Sequence, residues 1–226
     1  MAFWQSGRDV DLLREADGII IASAPHTHAA LAEYYIKNFV PVLIEKPVAM
    51  EVWDAQNIVD FAKEYDGIVF AGHTRLYSNA WRRFRDEAKA RGVYSVYATA
   101  GGHGSSSGQI DALWDWGPHL VAMCSDIGFD PRRAHIVVTD EEAPLEFFVN
   151  GEMRFRDVAE TPTPLQVLLG EFMDAIKKGE PDARGAELAL EVTEVLEESH
   201  KAHAEMKRDA EKMAHRDRQP AGTVWH

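Results

Sequence analysis

Cysteine is nearly missing from this chain: Cys124 is the only one in 226 residues. A disulfide framework is thereby excluded, and the composition fits a reducing compartment. Long apolar runs are missing too. Stretches such as Ile19-Ile20-Ile21 fall far short of the ~20 residues a bilayer-spanning helix needs. Positive charge is scarce, with 24 Lys and Arg against 37 Asp and Glu and a formal net charge of −13. That balance argues against nucleic acid or anionic membrane as a partner, because both reward basic surfaces. The opening stretch MAFWQSGRDVD lacks the basic-then-apolar order of a signal peptide. The expectation is a cytoplasmic protein with no nucleic-acid or membrane partner.

What is present suffices for a core. Hydrophobic residues make up 46% of the chain and aromatics 10%, which excludes wholesale disorder. At roughly 100–200 residues per domain, the length suits one large domain or two small ones.

The first hundred residues alternate between two periods. The β-rich runs are Gly18–Ser23, Pro41–Glu45, Gly67–Ala71 and Val93–Thr99. Between them lie helical patterns, with Ala32, Ile36 and Phe39 on one face, then Val52, Ala55, Val59 and Ala62, then Trp81, Phe84 and Ala88. Asp17-Gly18, Asp66-Gly67 and Arg91-Gly92 punctuate helix ends ahead of strands. Such alternation is the signature of parallel βαβ units. After Val93 the pattern changes. A glycine/serine loop, Gly101–Gly108, precedes an apolar helix around Trp114–Ile127. The loop reads as a substrate loop rather than a phosphate cradle, since it lacks a P-loop lysine. Ala134–Thr139 and Pro144–Val158 read as strands, with a hairpin turn at Asn150-Gly151. Leu165, Leu168, Phe172 and Ile176 mark another amphipathic helix, and a last one begins near Gly185. Its polar end beyond His200 reads as a solvated helix or frayed tail. The boundaries expected are 1–92 for a nucleotide-binding-type unit and 93–226 for a reduced α+β unit concerned with substrate and oligomerisation.

Ligands of open parallel sheets sit at the carboxyl ends of the strands. Three strand ends stand out: Ser23-Ala24-Pro25-His26-Thr27-His28, Glu45-Lys46-Pro47 and Gly72-His73-Thr74-Arg75. Asp115-Trp116-Gly117-Pro118-His119 follows at the start of an apolar helix, where residues four apart share a face. Singly, each has a structural reading: a proline that ends a strand, a polar strand exit, a helix cap. The histidine spacings match no zinc motif, no G-x-S-x-G elbow is present, and Cys124 falls on an apolar helix face as a core residue. No metal is expected.

Taken in order, these four motifs resemble the glucose-fructose oxidoreductase / inositol dehydrogenase / MocA (Gfo/Idh/MocA) family of NAD(P)-dependent oxidoreductases, over roughly 17–126 and less specifically 165–198. The resemblance implies α/β architecture, a partial Rossmann-like parallel sheet (its second half) followed by a reduced α+β part with a small antiparallel sheet. It implies hydride transfer at a secondary alcohol of a sugar or cyclitol. Lys46 would stabilise the developing alkoxide, His119 would take the hydroxyl proton, and Asp115 would fix the substrate or the histidine. Ser23, Pro25, His28, Glu45, Lys46 and Pro47 would border the NAD or NADP cofactor, and Arg75 with His119 the substrate. The family's opening strand, its G-x-G-x-x-G turn and its ribose-selecting strand have no counterpart here, and Met1–Ala16 matches only the helix ahead of the fourth family strand. Weak dinucleotide affinity is therefore expected. Two other readings keep the same residues or fewer: a cofactor-independent epimerase or lyase of sugar acids, and a non-enzymatic polyol-binding oligomer. A fragment of a longer gene product is a further reading. In a sheet ordered 3-2-1-4-5-6, loss of strands 1–3 makes 18–23 an edge. That apolar edge is expected to be covered by a second copy or by the segment holding Phe3 and Trp4.

Overall fold

A computed structural model describes residues 16–103 and 110–217, with side chains to 210. Three short strands, β1 (Ile19–Ile21), β2 (Val42–Ile44) and β3 (Val69–Ala71), form a parallel sheet in sequential order. The connections are α1 (His28–Lys37) and α2 (Val52–Glu64), as the alternating periodicity requires. The two-residue period of a strand assigns the faces. Ile21, Val42, Ile44, Val69 and Ala71 meet α1, α2 and the start of the last helix, while Leu43 and Phe70 turn the other way.

Leu43 and Phe70 are covered by α5 (Pro164–Lys178), whose Leu168 and Phe172 are buried on them. Thr163 opens α5 with a reciprocal capping box to Gln166, and Gly179 closes it in the left-handed conformation at φ 66°. The last helix, α6 (Arg184–Asp217), crosses the edge of β3 at Gly185. A Cβ at that position would lie 2.3 Å from the Val69 carbonyl oxygen, so only glycine permits the approach. Asp182 extends this edge cover by exchanging main-chain hydrogen bonds with Gly67 and Val69. The polar stretch beyond His200 continues the α6 helix, and its side chains through 210 are mostly exposed.

The second sheet has the order β5-β4-β6-β7 from β4 (Val96–Gly101), β5 (His135–Thr139), β6 (Ala143–Val149) and β7 (Met153–Arg156). It is mixed, not purely antiparallel as expected: β5 runs parallel to β4, joined through α4 (Ala112–Asp126). The sequence β4–α4–β5 is one more βαβ unit, so the grammar of the first half extends further than the glycine/serine loop suggests. β6 and β7 form the expected hairpin, with Asn150 and Gly151 both at positive φ (58° and 71°). The inner face, with Ala98, Phe147 and Phe155, packs on α4 and on Trp81 of α3 (Asn79–Arg91). Cys124 is fully buried in this core, and burial pushes its thiol up to about 12, so it is inert at neutral pH.

Among the described residues β1 pairs on one side only, with β2, and Ile20 is 44% exposed. The proposed cover by Phe3 and Trp4, and most of the Gly101–Gly108 loop, lie outside the described residues. No helix among the described residues is long and apolar enough to cross a membrane.

Candidate active site

All three strands of the parallel sheet end at the same side, facing the first turn of α4. After β1, Pro25 opens a short 3-10 turn, Pro25–Thr27, where Thr27 Oγ1 donates to the Ala24 carbonyl at 2.7 Å and lies 2.5 Å from Ser23 Oγ. His28 begins α1 almost fully buried. Its Nδ1 lies 2.9 Å from the Pro47 carbonyl oxygen and its Nε2 3.0 Å from that of Ser23. The imidazole thus ties the loop after β1 to the loop after β2, and both ring nitrogens are engaged by main chain. His28, expected beside a cofactor, braces the two loops that would border one. Burial holds it below its ordinary value, opposed by those two contacts.

Glu45 follows β2, with its amide donating to the Ile21 carbonyl at 2.8 Å. Its carboxylate lies over Gly72, where a Cβ would come within 2.7 Å of Oε2. Burial raises the Glu45 carboxyl above its usual range, and neighbouring Lys46 partly offsets this. Lys46 crosses from the end of β2 to α4, forming an ion pair with Asp115 and donating to the Asp115 carbonyl at 3.0 Å. The two side chains are only 15% and 22% exposed. Asp111 caps α4 by accepting from Trp114 N at 3.0 Å, which sets Asp115 in the helix's first turn. Gly117 lets α4 lie against Leu196 of α6; a Cβ there would be 2.6 Å from Leu196 Cδ2.

His119, one turn beyond Asp115, is 7% exposed, and its Nδ1 is buried without a hydrogen-bond partner. The Asp115 carboxylate is directed to Lys46, and no hydrogen bond joins it to His119. Burial, and then the charges of Lys46 and Arg75 with a contribution from His73, hold the His119 imidazole well below its ordinary value. At neutral pH it is an uncharged base. His73, at the end of β3, is 2% exposed with both ring nitrogens unpartnered, and burial beside Lys46 pulls it down to about 4. Arg75 pairs through Nη1 with Asp157, while its Nε is buried and unpartnered. The structure therefore gathers Lys46, Asp115, His119 and Arg75 in one electrostatic neighbourhood, with Glu45 beside Lys46. Ser23, Pro25 and Pro47 form the adjoining loops.

Three residues of this neighbourhood escaped the sequence reading of the site. His73 was visible within a singled-out strand end but had no motif to give it a role. Trp116, whose ring centroid lies 6.4 Å from that of His119, sits inside the D-x-x-x-H motif at an unspecified position. Asp157 was hidden in a segment read as strand.

Whether these residues suit a nicotinamide dinucleotide can be tested at the site itself. Buried unpartnered polar atoms on His73, His119 and Arg75 gather around Lys46, and such atoms are costly unless something polar meets them. That fits the nicotinamide end and a hydroxylated substrate at the crevice outside the strand ends. For the pyrophosphate, the sequence contains no G-x-G-x-x-G turn, and no described residue takes its place.

A parallel sheet wound by α1 and α2, its strand ends facing α4 and a second, mixed sheet, is a Rossmann-like α/β arrangement. The model of the Gfo/Idh/MocA family, described as an oxidoreductase family with an NAD-binding Rossmann fold, matches residues 2–73. The rhizopine catabolism protein MocA of Rhizobium meliloti is 24% identical over 94 residues, 42% of this chain and 30% of that protein. The chain thus aligns with under a third of that relative's length. Among solved structures, GenD2 from gentamicin A biosynthesis, in complex with NAD, superposes with a TM-score of 0.71 at 18% identity, covering 86% of this chain and 79% of that one. KijD10, a 3-ketoreductase from Actinomadura kijaniata in complex with NADP, gives 0.65 at 12% identity, covering 83% and 78%. These likenesses establish the fold.

Proposed function

We propose that this chain is an NAD(P)-linked oxidoreductase acting on a secondary alcohol of a sugar or cyclitol. The observation that carries the reading is the Lys46–Asp115 pair, which bridges the end of β2 to α4 with an uncharged His119 one turn further on. His119 takes the proton of the substrate hydroxyl. Lys46 meets the negative charge that grows on that oxygen as the carbon–hydrogen bond breaks, in a site where a partly desolvated ammonium counts for far more than in water. Asp115 holds the ammonium in place and keeps the pair neutral before reaction. Bound NAD(P) would supply the hydride acceptor. Ser23, Pro25, Glu45, Lys46 and Pro47 would flank its nicotinamide end, with His28 holding the two loops together. Arg75 would donate to the substrate.

The test is cofactor reduction in the presence of a polyol panel, wild type against His119→Ala and Lys46→Ala. The expected result is polyol-dependent reduction that both variants abolish. Proton exchange at a sugar-acid carbon without any cofactor would favour the epimerase or lyase reading. Polyol binding that neither variant disturbs would favour a non-catalytic binder.

A further inference from the structure

Beside His119 lies a cavity of about 420 Å³, within the range of small-molecule sites. It runs from the end of β3 to the start of β6 and the end of β7, and shares Arg75 and Trp116 with the neighbourhood described above. Two guanidinium groups, Arg75 and Arg156, face two carboxylates, Glu142 and Asp157. Both cations are already engaged: Arg75 with Asp157, and Arg156 with Glu146. The site's other cation, Lys46, is engaged by Asp115. Glu142 is exposed, with no ion pair among the described residues. Arg75 nonetheless keeps a buried, unpartnered Nε–H. The guanidinium can donate to an oxygen, yet its net charge is cancelled beside it. Trp116 and Leu145 give the cavity an apolar wall.

Resting on the oxidoreductase reading of this site, we infer that Asp157 is a specificity-determining residue: by neutralising Arg75 it sets the cavity to take an uncharged hydroxylated ring and to turn away sugar acids and sugar phosphates. An anion entering here meets no free cation among the described residues that line the cavity and approaches Glu142. A carboxylate or phosphate thus loses its hydration without gaining a countercharge. A neutral ring loses little, because hydroxyl oxygens can accept from the Arg75 guanidinium that lines the cavity, and its C–H face packs on the indole and Leu145. Discrimination of this kind comes from what the site withholds from the wrong ligand as much as from what it offers the right one. Asp157 sits one residue beyond β7 and 82 residues from Arg75, so the β6–β7 hairpin delivers the neutralising charge.

The experiment is calorimetric binding of myo-inositol, methyl glucoside, glucuronate and glucose 6-phosphate to the full chain without cofactor, repeated with Asp157→Asn and Asp157→Glu. The wild type is expected to bind at least one neutral ring at least roughly tenfold more tightly than either anion. Asp157→Asn should erase or invert that ratio, and Asp157→Glu should keep it. If Asp157→Asn does not fold, as its circular dichroism would reveal, Glu142→Gln on the exposed rim should shift the ratio the same way by a smaller factor. Anions bound as tightly as neutral rings by the wild type would overturn the inference. So would an unchanged ratio in the variants, or no binding of any of the four. Because binding is read without redox chemistry, a neutral ring that binds but is never oxidised would refute the oxidoreductase reading and leave the charge selection standing.

Discussion

Lys46 reaches Asp115 across 69 positions of sequence, and the pair is shielded from solvent on most sides. Lys46→Met leaves the growing alkoxide without a counter-charge, and turnover is expected to fall at least about 100-fold, with a smaller change in KM, measurable by initial rates. Acid should act on stability through the buried histidines. His73 titrates near 6.5 when unfolded and at about 4 in the fold, so between those values the unfolded chain holds more protons. Stability therefore falls as pH drops through this window, by about 3 kcal/mol from His73 at the lower end, and His119 and His28 add in the same direction. His73→Gln should flatten the dependence between pH 6.5 and 4 in urea melts; an unchanged slope would remove His73 as its source. Activity should decline toward acid as His119 is protonated, with its inflection below the ordinary histidine range. At this scale the juxtaposition of Lys46, Asp115 and His119 was legible because their motifs are short and ordered. Asp157 was not, since no local pattern records a partner 82 residues away.

Elements meet where glycine lets backbones approach. Gly185→Ala would press a methyl group against the Val69 carbonyl and the β3 backbone, atoms that cannot rotate away, and should lower stability by roughly 1–3 kcal/mol or more. Gly170, exposed in α5 with nothing within 4 Å of its would-be Cβ, is the control: Gly170→Ala should raise stability by about 0.5–1 kcal/mol. Thermal melts of the two variants should move in opposite directions. The strands read from sequence as Gly18–Ser23, Pro41–Glu45 and Gly67–Ala71 appear as Ile19–Ile21, Val42–Ile44 and Val69–Ala71, because a buried parallel strand is a bare run of apolar, often β-branched residues between turn signals. The Asn150-Gly151 hairpin was legible for a different reason, its demand for positive φ at two adjacent residues. The parallel pairing of β5 with β4 was not legible. Periodicity tells which face of a strand is buried and is silent about its neighbour's direction.

The molecule as a whole is two sheets joined at their working ends. Lys46 to Asp115 and Arg75 to Asp157 both run from the parallel sheet to the second unit, while α5 and α6 return to cover the first sheet. β1 presents a one-sided edge among the described residues, and a second copy or the segment holding Phe3 and Trp4 is expected to cover it. If a second copy does so, the contact runs through Ile20. Ile20→Lys should then shift sedimentation equilibrium toward the monomer, and an unshifted profile would discard that edge as the contact. If the gathered strand ends serve a nicotinamide dinucleotide, calorimetric titration with NAD⁺, NADH, NADP⁺ and NADPH registers it most directly. Saturable heat is expected with at least one of the four at a dissociation constant of about 1 mM or tighter, roughly −4 kcal/mol, and the binding should weaken in Lys46→Met. Absence of heat with all four at millimolar concentration would contradict it.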